Sequence, residues 1–335
     1  MTRTSKTEMT PRQTTHDFFA LGEVVVDFIS EHVASTLVAA NTYKRHMGGQ
    51  AANLTMNMSR FGCSSAIAAC IGTDGLGMFA TEQLSRAGVD LRFLQTSSRA
   101  PTTIASITRQ TQTPEFIIFR GADSLLEPAK GLLDAVRQSH IVHTSAFALS
   151  RDPARDTILT ALQAASDAGA TVSFDPNYHT DIWPDHPDMI GFLQNLYPLV
   201  DITKPSLEDC QRLLGAGQSI PAYAQQFLEW GAHIVFITMG EEGVYVATTR
   251  GEPFHMHATP NLNVVDVTGA GDAFWAGTLA AYVRGFPLDQ AVRMGQAFAE
   301  FKIRRVGPVT DVPTWDQLEG LASHIQITHE HEKGG

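Results

Sequence analysis

Apolar residues fall along this chain in short blocks, separated by polar stretches punctuated with glycine. Residues 18–29 read Phe-Phe-Ala-Leu-Gly-Glu-Val-Val-Val-Asp-Phe-Ile, which predicts a buried first strand interrupted at Gly22. A helical pattern runs from the Gly48-Gly49 pair through Phe61, with Gly62 placed as its C-cap. Residues 66–71 predict a short buried strand, and residues 72–77 open another helix. Residues 101–109 and 115–120 are alternating, β-branched and aromatic on either side of the polar stretch 110–114, the pattern of a hairpin. Beyond residue 125 strands and helices alternate. Residues 140–144 and 171–175 read as strands, with a helix over 152–168 between them. Residues 235–244 read as strand, tight turn and strand, and residues 295–305 as a late helix. Residues 266–277 run from a loop straight into small and apolar residues as far as Val283, a buried helix. The rhythm is that of an α/β chain with a doubly wound, mainly parallel sheet flanked by helices.

Composition narrows the function. The 335 residues are enough for one large α/β domain or two smaller ones, and 43% apolar with 18% charged residues is ordinary for a globular protein. A formal charge of −11 argues against nucleic acid or an anionic membrane as partner, so a bound nucleotide needs local devices and a divalent metal. Cys63, Cys70 and Cys210 lack metal-ligand spacing and are too few for a disulfide framework, and the thirteen histidines form no His-Glu-x-x-His pattern. With no signal-type segment and no run of transmembrane length, the expected location is cytoplasmic. Residues 1–16 are Thr-rich and polar and read as a disordered leader. Residues 17–325 read as the folded domain, and 326–335 as a polar tail without a part in the chemistry.

Two nucleotide motifs are excluded or disfavoured. Residues 72–77 have the order Gly-x-x-Gly-x-Gly, not Gly-x-Gly-x-x-Gly, and neither Glu82 nor Asp90 ends a following strand as a ribose binder should. No Gly-x-x-x-x-Gly-Lys-Ser/Thr loop occurs.

The strongest chemistry lies in Asp266-Val-Thr-Gly-Ala-Gly-Asp272. Gly269 and Gly271 let backbone N–H groups approach a ligand at a helix start, where they lack internal partners and the helix dipole adds positive charge. That is a phosphate pocket. Asp272 sits in the first turn, where a carboxylate is favoured as the anion and can take a proton from an attacking hydroxyl. Elsewhere, Asp27 inside an apolar run is either an exposed strand end or a used charge. Arg120 is either an exposed strand-end residue or a substrate contact, and Asp209 either a first-turn helix residue or a group acting on Mg²⁺ through water.

The run 266–277 resembles the C-terminal signature of the PfkB family of carbohydrate kinases, with Thr278 just beyond it slightly off the usual apolar choice. Gly48-Gly49-Gln50-Ala-Ala-Asn53, with Gly62 and Gly72 after it, resembles the N-terminal signature of the same family. The resemblance spans roughly residues 17–315 and implies a ribokinase-like fold with a small β-sheet lid from residues near 33–47 and 101–120. It implies Asp272 as catalytic base and Gly269, Ala270 and Gly271 as an anion hole for the transferring phosphoryl group. Asp27, Gly48, Gly49, Asn53, Arg120, Asn177 and His179 would line the sugar. Lys204, Thr238, Gly240, Gly243 and Phe298 would serve ATP, the last in place of an Asn. Asp209 would act on Mg²⁺, and Asp266 and Thr268 would hold K⁺ beside the anion hole. Ser206-x-x-Asp209 departs from the family's Asn-x-x-Glu, and His179 stands where relatives commonly have Arg.

The implied activity is ATP-dependent phosphorylation of a primary hydroxyl on a small sugar. The residues around Arg120 and Asp175 are most similar to those of fructokinases and 2-keto-3-deoxygluconate kinases. A neutral histidine suits a hydroxyl better than a carboxylate, so a ketohexose is favoured over the sugar acid. Ribokinase or nucleoside-kinase specificity is the alternative, and a catalytically silent sugar- or nucleotide-binding relative is the alternative of another class. A homodimer through the lid is the candidate assembly.

Overall fold

A computed structural model of the chain describes residues 14–110, 114–183, 188–307 and 311–329. Strands β1 (His16–Leu21), β4 (Ser65–Gly72), β5 (Asp90–Ser97), β8 (Ser139–Ser145), β9 (Thr171–Asp175), β10 (Ile202–Thr203), β11 (Ile234–Thr238), β12 (Val244–Thr248), β13 (Phe254–Met256) and β14 (Ile327–His329) form one ten-stranded sheet. Its order is β14-β13-β12-β11-β10-β9-β8-β1-β4-β5, parallel from β11 to β5 and antiparallel from β11 to β14. A second sheet has the order β3-β2-β6-β7, from β2 (Val25–Val33), β3 (Tyr43–Gly48), β6 (Ile104–Arg109) and β7 (Phe116–Phe119).

The helices are α1 (Gln50–Arg60), α2 (Gly75–Arg86), α3 (Leu132–Arg137), α4 (Ala154–Asp167), α5 (Met189–Leu196), α6 (Leu207–Leu214), α7 (Ile220–Trp230), α8 (Ala270–Val283), α9 (Leu288–Ile303) and α10 (Trp315–Ala322). They cover both faces of the large sheet. Side chains alternate between the two faces along each strand. Phe19 and Leu21 of β1, Ala66, Ala68 and Cys70 of β4, and Val235 and Ile237 of β11 pack with α3–α7. Their neighbours Phe18, Ala20, Ile67, Ala69, Ile71 and Phe236 pack with α1, α2 and α8–α10. Strands apolar on both faces require this double covering.

The doubly wound sheet and separate small sheet expected from the sequence are present, with three differences. Residues 18–29 are not one strand. The chain leaves the large sheet after Leu21, turns through Gly22, Glu23 and Val24, and enters the small sheet as β2. Periodicity alone does not report a change of sheet, because all three corner residues are buried like their neighbours. The expected leader 1–16 overlaps structure, since Thr15 bonds to Gln138 and β1 starts at His16; residues 1–13 lie outside the described residues. The expected tail 326–335 also contains structure, for β14 pairs with β13; residues 330–335 lie outside the described residues. Among the described residues no helix is long and apolar enough to cross a membrane.

Candidate active site

The carboxyl ends of the parallel strands converge on one edge, where ligands of open α/β sheets bind. Asp175 ends β9, Lys204 follows β10, Thr238 ends β11, and Glu23 follows β1. Against this edge come α1 and α8, each started by a glycine that no other residue replaces cheaply. Gly49 has φ +85°, and a Cβ there would lie 2.6 Å from the Glu23 carbonyl. Gly269 caps α8 in the left-handed conformation, φ 76° and ψ 10°, aiming the helix start at the site.

Asp272, in the first turn of α8, accepts a hydrogen bond of 2.9 Å from Asn53 Nδ2 of α1. Burial raises its pKa to about 6, opposed by the Asn53 bond and the charge of Lys204. The expectation of a carboxyl favoured as the anion therefore needs correction, because desolvation outweighs the helix-start position. Asp27 lies on β2 opposite His46, and its carboxyl occupies the space a Cβ on Gly48 would need. Burial, then the nearby charge of Asp272, raises its pKa to about 7. Asp27 is thus a partly covered mid-strand residue of the small sheet and not a solvated strand end.

Lys204 is buried and pairs with Asp175 Oδ2 at 2.8 Å. Burial works against its charge, but Asp175, Asp209 and Asp272 more than offset this and hold its pKa above the usual lysine value. Its ammonium reaches the anion loop: a Cβ on Gly271 would lie 3.6 Å from Nζ. Gln50 also donates to Asp175 Oδ2 and is held in turn by His143, whose Nδ1 lies 2.8 Å from Ser173 Oγ. Trp275 of α8 donates to that same hydroxyl. Burial lowers the His143 pKa to about 3, so the ring is neutral. Sequence reasoning had missed Gln50 and Asp175 as site residues. The available signal was a carboxylate at the carboxyl end of the strand over 171–175, where ligands of open sheets bind.

The anion loop is partly formed. Ala270 N–H donates to the Val267 carbonyl at 3.0 Å, which corrects the expectation that it faces a ligand. Gly269 and Gly271 N–H groups make no such bond among the described residues. Among the described residues, the Thr268 hydroxyl and the Asn53 side-chain Oδ1 are enclosed without hydrogen-bond partners.

Other expected residues lie differently. Arg120 is buried and spent: Nε donates to Asp123 at 2.8 Å, Nη1 donates to Ser150 at 2.7 Å, and the guanidinium lies over the Phe147 ring. Its side chain is 5% exposed and so is not a solvated strand-end residue; Nη2 lies beside Asp123 with no hydrogen-bond partner among the described residues. Asp209 completes a capping box with Ser206 on α6 and also accepts the Tyr178 N–H. Its carboxylate is therefore engaged on both oxygens. Phe298 is fully buried, edge-on to Phe61 and close to Phe301, so its ring belongs to the core and not to a base pocket. His179 contacts Phe116 of β7, with centroids 4.9 Å apart, and Asn177 is exposed in a turn with φ 31°. Gly240 faces open space, whereas Gly243, φ +94°, is required by the close approach of the Met256 carbonyl.

Asp266 is fully buried and meets a lysine. Its Oδ1 accepts Thr268 N–H at 2.9 Å and its Oδ2 accepts Gly307 N–H at 2.7 Å. Lys302 Nζ donates to the Asp266 carbonyl at 2.7 Å and lies 3.7 Å from Oδ2. Burial lowers the Lys302 pKa to about 8 against the pull of Asp266. Among the described residues no group of three or more His, Cys, Asp or Glu could hold a metal.

A carboxyl poised near neutrality, a lysine beside a glycine-lined helix start, and a sheet that can cover both suit phosphoryl transfer to a hydroxyl. Comparison with known proteins agrees. Residues 15–315 match the model of the pfkB family carbohydrate kinases. The chain is 32% identical over 306 residues to the ATP-dependent 6-phosphofructokinase of Thermoanaerobacterium thermosaccharolyticum, covering 91% of this chain and 94% of that protein. It is 30% identical to the fructokinase of Klebsiella pneumoniae, over 90% and 97% of the two chains. The Halothermothrix orenii fructokinase structure superposes with a TM-score of 0.73 at 31% identity, over 88% of this chain and all of that one. The chain belongs to the pfkB family of carbohydrate kinases.

Proposed function

We propose that this kinase transfers the γ-phosphoryl group of ATP to a primary hydroxyl of a neutral ketohexose bound beneath the small sheet. The observation that carries the reading is Asp272, held by Asn53 and flanked by Lys204 and the α8 start. Asp272 accepts the hydroxyl proton. Gly269 and Gly271 N–H, joined by Ala270 once its turn opens, and the Lys204 ammonium stabilise the charge on the phosphoryl oxygens. Asp27 and Asn53 hold sugar hydroxyls, and Gly48 and Gly49 let the sugar lie against bare backbone. Thr238 and the Gly240–Gly243 turn line the nucleotide side.

Asp209 is engaged on both oxygens and fits Mg²⁺ only through water; the ion would ride chiefly on the nucleotide phosphates and neutralise their charge. The small sheet excludes water, which would compete as nucleophile.

The neutral substrate follows from Arg120, whose fork is closed on Asp123 and Ser150, and from His179 in place of a second guanidinium. A sugar phosphate is the second reading. It is favoured by Lys44, Arg45 and His46 on β3 and by the likeness to a 6-phosphofructokinase. The test compares kcat/KM for fructose, fructose 6-phosphate, 2-keto-3-deoxygluconate and ribose. Fructose is expected to lead. A lead for the sugar acid overturns the Arg120 argument, one for the phosphate selects the second reading, and one for ribose the ribokinase alternative. Inactivity on all four, and on a wider panel of sugars and nucleosides, favours a silent binding relative.

A further inference from the structure

The sequence led to an expectation of K⁺ beside the anion hole, with Asp266 and Thr268 among its ligands. The residues present do not fit it. The Asp266 carbonyl and carboxylate, which a bare cation would have to share, already face the Lys302 ammonium at 2.7 and 3.7 Å. Lys302 is 1% exposed and Asp266 is 0% exposed, so the two opposite charges neutralise each other away from water. A second cation there would meet an ammonium across a short, poorly screened distance.

The pair is also placed to act on the anion hole. Lys302 lies one residue from the end of α9, and the Ile303 carbonyl accepts the Val265 and Asp266 N–H groups. Asp266 in turn holds Thr268 N–H on one oxygen and Gly307 N–H on the other. One carboxylate thus ties the loop entering α8 to the chain leaving α9, and the lysine ammonium faces it in the core.

We propose that Lys302 is a tethered monovalent cation: its ammonium replaces diffusible K⁺ behind the Asp266–Gly271 loop, and the kinase needs no potassium. Lys302 is a positioning residue, acting on the loop through Asp266. The proposal rests on the kinase reading only for its rate measurement; a melting measurement tests it even if the sugar assigned above is wrong.

The experiment compares the full-length wild type with Lys302→Met and Lys302→Arg in KCl and in tetramethylammonium chloride at equal ionic strength. Sugar kinase rates and melting temperatures are recorded. For the wild type, both should be the same in the two salts. Lys302→Met removes a charge-assisted hydrogen bond and should lose about tenfold or more in rate in tetramethylammonium. K⁺ or methylammonium should restore part of that rate and raise the variant's melting temperature, and Lys302→Arg should retain most of the activity. Wild-type activation and stabilisation by K⁺ would overturn the proposal. So would a Lys302→Met enzyme that keeps its rate, or one whose loss no cation repairs, since the lysine would then be only a packing element. If Lys302→Met fails to fold, the wild-type comparison in the two salts still decides.

Discussion

Replacing Asp272 with Asn should make the enzyme slower and the protein more stable, and the second effect should depend on pH. The amide keeps the shape of the carboxylate, and its oxygen can still accept from Asn53, now 2.9 Å away. Loss of a positioned base costs about 10²–10⁴ in turnover. The stability change follows from burial. A carboxyl that titrates near 6 instead of 3.8 is disfavoured as the anion by about 3 kcal/mol. The folded state holds this proton more tightly than the unfolded chain does. The penalty is therefore absent below about 3.8, grows between 3.8 and 6, and is full above 6. With an unfolding entropy of about 2.1 cal/mol/K per residue, 3 kcal/mol corresponds to a melting shift of about 4 °C in a chain of this length. Calorimetry at pH 8 and pH 4, with steady-state kinetics, checks both effects. The wild-type kcat/KM should also fall about tenfold per pH unit below about 6 and level off above it. Turnover within tenfold of wild type would refute the role of Asp272, and an equal stability gain at both pH values would refute the burial argument.

Asn53→Ala removes the bond that lowers the Asp272 pKa, so the acid limb of the pH profile should move up by about one unit, the scale of a hydrogen bond to a charged group. An unmoved limb would show that Asn53 does not touch the reactive carboxyl in the working enzyme. Gly48→Ala places a methyl group where the Asp27 carboxyl now lies and should displace it. The KM for the sugar should rise about 10–100-fold, the worth of a charge-assisted hydrogen bond, with the KM for ATP little changed. An equal rise in both would mean that the fold, not the sugar contact, was disturbed.

The parts of the fold visible in the sequence are those set by local chemistry. The strand over 235–238 is almost wholly apolar, Gly49 marks where backbone must turn against a neighbour, and Gly269 where it must turn left-handed. Asp272 and Asn53 could be singled out because their signatures are contiguous. Their mutual bond, across 219 residues, could not. Nothing near Lys302 in sequence marks it as the partner of Asp266, 36 residues away. Asp209 has the first-turn helix position that the sequence offered as one of its two readings, and Arg120 is closed on a near neighbour. Both have partners three residues distant, Ser206 and Asp123, so each charge is closed locally. The pKa values of Asp27 and Asp272 depend on how two sheets and two helices enclose them, which no spacing encodes.

Strand β14 bears on how this protein stays apart from its neighbours in a crowded solution. Without it, β13 would offer the unpaired main chain of Phe254–Met256 as a template for any passing strand. The cover is only three residues long, too short to recruit a further strand firmly, and the sequence after it is Glu-His-Glu-Lys. Strand β14 thus covers the edge of the large sheet. A truncation before residue 327 removes that cover and leaves a sticky edge.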